Sequence, residues 1–229
     1  MGLPKLDVPK FKVKVPGIKK EVTARPFLVK EGNILTQASE SDTESQFLAV
    51  EQVVANCTFG ELDVKSLEMY QLQSLFLKIK GKSSGSTQEF ILNCGNCNNK
   101  MNYTMDLDDF EVLGATDQYT IDLKINDSAG IIFKRPTAEV LLTANKLTDL
   151  EIFANCIKYV YDTEEKTAPE DLDAEELKEF IEQLPISILN DATEFVASTP
   201  VLGKSVDFTC NKCEHKNVVV INGVEHFFG

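Results

Sequence analysis

Two Cys-x-x-Cys pairs, Cys94/Cys97 and Cys210/Cys213, constrain this 229-residue chain more than any other feature. Two residues between cysteines let one tight turn aim both sulfurs at a common point. Two such turns supply the four thiolates of a tetrahedral metal site with bonds of about 2.3 Å. In a reducing compartment this pattern reads as metal binding before disulfide formation. The flanking residues separate metal from redox chemistry. A thioredoxin-like motif needs a helix that opens at its first cysteine and lowers that thiol's pKa. Here Cys97 is followed by polar Asn98-Asn99-Lys100 and then the period-two stretch MNYTMDL, and Cys213 by Glu214-His215-Lys216 and then the β-branched VVVI. Each pair is therefore predicted at a β-hairpin tip, the knuckle of a zinc ribbon. Gly95, Asn96, Asn98 and Asn211 suit its tight, partly left-handed backbone, and Glu214 suits it less well. The expected site is Cys94, Cys97, Cys210 and Cys213 around one structural Zn²⁺. Disulfides, a lost site and redox chemistry are the alternatives. Four thiolates saturate zinc, which makes His215 a surface side chain and leaves no position for a reactive water. The 112 residues between the pairs mean that one shared site requires two distant hairpins to meet.

The same signposts occur in each half of the chain, in the same order. VTARPF (22–27) matches IFKRPT (132–137), VVANC (53–57) matches IFANC (152–156), LDVKSLEMY (62–70) matches LDAEELKEF (172–180), and ILNCGNCNNK (91–100) matches DFTCNKCEHK (207–216). Within each half, FKVKV and YTIDLKI alternate with period two. Each is followed, after PG or NDSAG turn residues, by a second short strand ending at Arg-Pro, which predicts a hairpin. Pro26 and Pro136 push Arg25 and Arg135 toward extended backbone, and a helix can follow. Phe47, Val50, Val53, Val54 and Cys57 recur at helical spacing, as do Leu150, Phe153, Ala154, Ile157 and Val160. Asp63 and Asp173 are expected N-caps for helices with core stripes Leu67, Tyr70, Leu77 and Leu177, Phe180, Ile181, Leu184. Cys57 and Cys156 fall on apolar helix faces as small buried hydrophobes without chemistry. The expected fold is α+β: pseudo-repeats 1–114 and 115–229, each a β-hairpin, helices and a CxxC hairpin, joined at a split zinc ribbon in one compact unit.

Charge narrows the function classes. A formal net charge of −13 argues against binding phosphate backbones. Residues 1–30 carry +6 and the remainder −19, and 162–182 hold ten acids against Lys166 and Lys178. A solvated strand and a solvated helix face account for both runs; docking surfaces are the alternative reading. No apolar h-region opens the sequence and no apolar run is long enough to span a bilayer, so neither export nor membrane insertion is expected. Leu6 stands where a myristoylation motif needs Ser or Thr. His215 and His226 are the only histidines. HExxH, phosphate-loop and nucleophile-elbow motifs are absent, so no catalytic residues, no cofactor-binding residues beyond the metal ligands and no small-molecule substrate are expected. In DLDAEE the acids read as an N-cap and an acidic first turn. The Pro-punctuated LPKLDVP suits an arm laid along a neighbour's sheet edge. Phe227 and Phe228 pack into the core or into a partner.

The stretch LPKLDVPKFKVKVPGIKKEVTARPFLVKEGNIL, the ANC and LDVKSL segments and the two CxxC hairpins together resemble the baseplate hub assembly proteins of T-even-type contractile-tailed phages. The resemblance runs over most of the chain. It implies a non-enzymatic role in building the central hub of the tail baseplate, as an incorporated subunit or as an assembly chaperone that leaves before maturation. Its partners would be phage baseplate hub proteins, with no nucleic acid and no membrane. It would act in the host bacterial cytoplasm during assembly, the virion tail baseplate being the second location. The competing class is a small zinc-ribbon regulatory adaptor that docks on a host enzyme.

Overall fold

The alternation in FKVKV produces β1 (Phe11–Val13), which pairs antiparallel with β2 (Val22–Ala24). The computed structural model describes residues 7–115 and 117–222. The segment before Asp7, Met1-Gly2 included, and His226, Phe227 and Phe228 lie outside the described residues.

After β2 the Arg25-Pro26 step leads into α1 (Val29–Ala38) and α2 (Thr43–Cys57). Asp42 starts α2, its carboxylate accepting the Ser45 amide at 2.8 Å. The predicted apolar face of α2 is buried: Val50, Val53, Val54 and Cys57 are each 0% exposed. Next, α3 (Met69–Ser84) is covered almost all round, with every residue from Tyr70 to Leu77 buried, and forms the central helix of its unit. It begins later than the Asp63 cap would set it, because Asp63 precedes a separate 3-10 turn, Val64–Ser66. The strands β3 (Thr87–Asn93) and β4 (Lys100–Asp106) form a hairpin, and β5 (Glu111–Leu113) follows.

The second set begins with β6 (Thr120–Lys124) and β7 (Gly130–Lys134), again a hairpin ending at Arg-Pro. Then come α4 (Ala138–Thr143) and α5 (Asp149–Cys156). Thr148 and Glu151 form a reciprocal capping box that fixes the start of α5. The predicted helix over Leu150, Phe153, Ala154, Ile157 and Val160 is half right. It stops at Cys156, and Ile157–Tyr161 is β8, paired with β7, while β9 (Lys166–Thr167) completes the order β6-β7-β8-β9. The segment IKYVY is β-branched and aromatic at its core positions, and the open edge of β7 offers it a ladder that outweighs its helical spacing. The helices α6 (Ala174–Glu182) and α7 (Ile186–Ala197) cover this sheet, and Asp173 caps α6 as expected, accepting the Glu175 and Glu176 amides. Finally β10 (Val201–Thr209) pairs with both β11 (Lys216–Asn222) and β5, giving the order β11-β10-β5.

The secondary structure is the mixed α+β expected. Packing divides the chain differently from the sequence halves, and into two compact units where one was expected. Residues 7–64, 70–113 and 201–222 form the first, and residues 65–69, 114, 115 and 117–200 the second. The reason is the pairing of β10 with β5, which returns the carboxy-terminal hairpin to the unit that holds β3 and β4. The second unit has its own core, in which Ile131, Phe133, Phe153, Ile157, Ile181 and Phe195 interlock, with Phe133 and Phe153 ring centres 4.8 Å apart.

In the first unit Arg25 and Glu31 make a buried bidentate ion pair, both contacts 3.0 Å. Arg25 also donates to the Pro26 and Asn56 carbonyls, and Glu31 accepts the Leu28 amide at 2.9 Å. In the second unit Arg135 reaches Glu68 at 3.8 Å and lies over Phe195. Cys57 and Cys156 end α2 and α5 at 0% exposure, and burial pushes both thiols up to about 11. Neither thiol is therefore expected to react with iodoacetamide at pH 8 in the native chain. Mass spectrometry should find both unmodified until denaturant is added.

Candidate metal centre

Each Cys-x-x-Cys pair occupies the tip of a hairpin, Cys94 and Cys97 between β3 and β4, Cys210 and Cys213 between β10 and β11. The two turns are built alike. Cys94 donates its amide to the Asn99 carbonyl at 3.0 Å and Cys210 to the His215 carbonyl at 2.9 Å. Asn98 and Glu214 close the turns back onto the Cys94 and Cys210 carbonyls at 2.9 and 3.0 Å. The amides of Asn96 and Lys212 each point at the first sulfur of their pair at 3.4 Å. No helix opens at either first cysteine, so the arrangement that activates a thioredoxin-like thiol is missing from both turns.

Asn98 and Glu214 take the left-handed conformation, at φ 54° and 58°. Gly95, Asn96 and Asn211 are outside that region, so of the residues expected to supply it only Asn98 does. The turn needs its left-handed residue immediately after the second cysteine. Glu214 occupies that place in the second turn at a strain of about 1 kcal/mol.

The two tips meet. All four sulfurs lie within 4.8 Å of one another, with Cys94–Cys213 and Cys97–Cys210 Sγ···Sγ distances of 3.7 Å. A tetrahedral ion bound through metal–sulfur distances of about 2.3 Å holds its ligands about 3.8 Å apart. The two separations across the tips therefore match the edge of such a tetrahedron, and are much too long for S–S bonds of about 2.05 Å. Cys94 and Cys210 are buried, while Cys97 and Cys213 are half-buried.

Electrostatics favour a cation at the centre. The Cys97 amide, helped by that of Asn96 and by neighbouring sulfurs, brings the Cys94 thiol down to about 6. At Cys97 the Asn99 amide acts in the same direction, but the sulfurs of Cys213, Cys210 and Cys94, together with burial, override it and push the thiol up to about 12. Cys210 is lowered, chiefly by the Lys212 amide. Four bare thiolates cannot share this space, and a dication would neutralise the charge that raises the Cys97 thiol.

Three asparagines that the sequence did not single out in this role hold the tips together. Asn217, buried on β11, accepts the Gly95 amide at 2.8 Å and donates to the His215 carbonyl at 2.9 Å and to the Cys94 sulfur at 3.7 Å. Asn99 donates to the Asn211 side chain at 2.8 Å, and Asn96 to the Cys213 sulfur at 3.6 Å. Only the spacing could have hinted at Asn217, which lies four residues past Cys213 and directly before Val218, Val219 and Val220. His215 is exposed and outside the sulfur cluster, as expected. Such supporting contacts fix ligand orientation, so Asn217→Ala should weaken metal affinity by about 10–100-fold in a chelator competition.

A family model described as T4 bacteriophage base plate protein matches residues 8–229. The chain belongs to this baseplate family. Neither the curated proteins nor the solved structures contain a significant match to it. The matched range takes in both hairpins of the baseplate protein, so the cysteine cluster lies inside the family region. Membership makes this a structural phage baseplate protein and points to other baseplate proteins as partners and to the tail baseplate as its location. No helix among the described residues is long and apolar enough to cross a membrane.

Proposed function

We propose that this baseplate protein is a non-enzymatic structural or chaperone-like component of the tail baseplate hub, stabilised by one structural Zn²⁺ on Cys94, Cys97, Cys210 and Cys213. The observation that carries the metal is the pair of 3.7 Å sulfur separations within a cluster no wider than 4.8 Å. Zinc is favoured over other ions because four thiolates at tetrahedral spacing suit a soft or borderline ion, and the spacing within each pair is that of a zinc ribbon. With all four ligands supplied by protein, the metal holds no reactive water and its role is to fix structure.

The zinc would pin the β10–β11 hairpin to the β3–β4 hairpin, a ribbon split between pseudo-repeats 1–114 and 115–229. The order of elements supports a duplicated plan: hairpin β1–β2, helices, then hairpin β3–β4; hairpin β6–β7, helices, then hairpin β10–β11, with β8 and β9 as the extra piece. Buried Cys57 and Cys156 close matching helices. The basic segment 1–30 and the acidic segment 162–182 are left to contact hub proteins during assembly in the host cytoplasm.

The test is affinity purification of the tagged full chain from infected cells, in the native form and with all four cysteines replaced by serine. Native protein is expected to recover baseplate hub proteins and the serine variant to lose them. Recovery of a host enzyme such as RNA polymerase in place of hub proteins, or equal recovery by both forms, contradicts the proposal.

A further inference from the structure

The acidic segment carries a groove that neither the metal centre nor the family assignment uses. Within the second unit, a depression of ≈ 280 Å³ lies between α6 and the end of the β6-β7-β8-β9 sheet. Its floor is apolar: Ile125, Val160, Leu172, Leu177 and Phe180 line it, all of them part of, or packed against, the buried core. Its rim carries Asp162, Glu165 and Glu176, and no basic residue is among the described residues that line it. The walls are fixed. Tyr161 donates to Asp122 at 2.7 Å and its ring crosses directly over Gly130, where a Cβ would lie 2.5 Å from the tyrosine oxygen. Asp162 accepts the Glu164 and Glu165 amides at 2.7 and 3.0 Å, which anchors the rim turn and holds its carboxyl below the ordinary range.

We propose that this groove is a docking site for a segment of a partner protein that inserts an arginine or lysine flanked by apolar residues. Long basic side chains have an aliphatic stem and a charged head, and they bury the first while the second stays at a polar edge. An apolar floor ringed by carboxylates matches both parts. The Tyr161 and Phe180 rings add faces on which a guanidinium can stack. The volume suits one or two side chains of a peptide and is below the range of about 300–1,000 Å³ usual for small-molecule sites. The surrounding field agrees, since 162–182 hold ten acids against two lysines and would repel an acidic segment. This inference does not depend on the metal.

The experiment measures binding of fluorescent peptides to the full chain by anisotropy at physiological salt. The probes are a capped peptide alternating leucine and arginine and its counterpart with glutamate for arginine. The arginine peptide is expected to bind and the glutamate peptide not to. Glu165→Lys with Glu176→Lys, both on exposed positions, should weaken binding about tenfold or more, because two favourable charge pairs become repulsive. Asp108→Lys with Asp109→Lys changes the net charge equally in the other unit and should leave the affinity within about twofold. Equal weakening by both double variants would reduce the effect to bulk charge and overturn the proposal, as would no binding. Self-association of the chain that is lost in the groove variant alone would assign the groove to a second copy and overturn it as well.

Discussion

Stripping the proposed zinc from the native chain is expected to lower its melting temperature by 10 °C or more, on the order of several kcal/mol for a chain of this size. The proposed site would tie together two hairpins separated by more than a hundred residues of sequence, and among the described residues β3–β4 is a two-stranded sheet. Such a hairpin is marginal in water by itself. Cross-strand contacts and the asparagine bridges remain without the ion, but nothing then draws the four sulfurs to one centre. Replacing all four cysteines by serine should reproduce the loss. The two treatments act on one interaction, so a chelator should produce no further drop in the variant. Calorimetry of native and variant protein, each with and without chelator, checks this, and additive losses would contradict a shared site.

The second large effect is expected in the same unit at the Arg25–Glu31 pair. Glu31→Ala leaves a guanidinium enclosed at 6% exposure among carbonyls and a thiol. The expected cost is about 3–5 kcal/mol. Replacing both partners, Arg25→Met with Glu31→Leu, should recover most of that, because the penalty lies in the orphaned charge more than in the lost pair. Burial pushes the Glu31 carboxyl up, but the Arg25 guanidinium and the Leu28 amide outweigh it, and the carboxyl stays below its ordinary value of 4.5. The folded carboxyl therefore keeps its charge to lower pH than the unfolded one. Its contribution is complete above about pH 4.5 and decays as the pH falls further. Urea titrations across pH 3 to 7 should show a steeper acid loss in the native chain than in the Arg25→Met, Glu31→Leu variant.

Local chemistry was legible in the sequence wherever one residue type has one strong structural use. The CxxC turns were placed at hairpin tips because polar turn residues and alternating strands flank them. The Arg-Pro steps ended strands because proline forbids the ladder from continuing, and Asp173 capped a helix because its carboxylate has nothing better to do there. What failed depended on partners distant in sequence. The IKYVY segment fits helical spacing and strand propensity equally, and only the exposed edge of β7 decides between them. Asp63 looked like a helix cap, yet one 3-10 turn intervenes. Pairing of β5 with β10 set the limits of the compact units, and a three-residue strand carries no period from which to foresee it. In the cysteine cluster the gathering of the four sulfurs was legible and the asparagine bridges were not. An asparagine on a valine strand looks like an interruption until the opposite turn is in place to receive its hydrogen bonds.

The central claim is that the four thiolates bind one ion together. X-ray absorption at the zinc edge on the purified full chain, with metal content measured on the same sample, tests it most directly. The account predicts one zinc per chain and a single shell of four sulfurs at about 2.3 Å. Protein with no bound metal, or a shell with nitrogen or oxygen in place of some of the sulfurs, would contradict it.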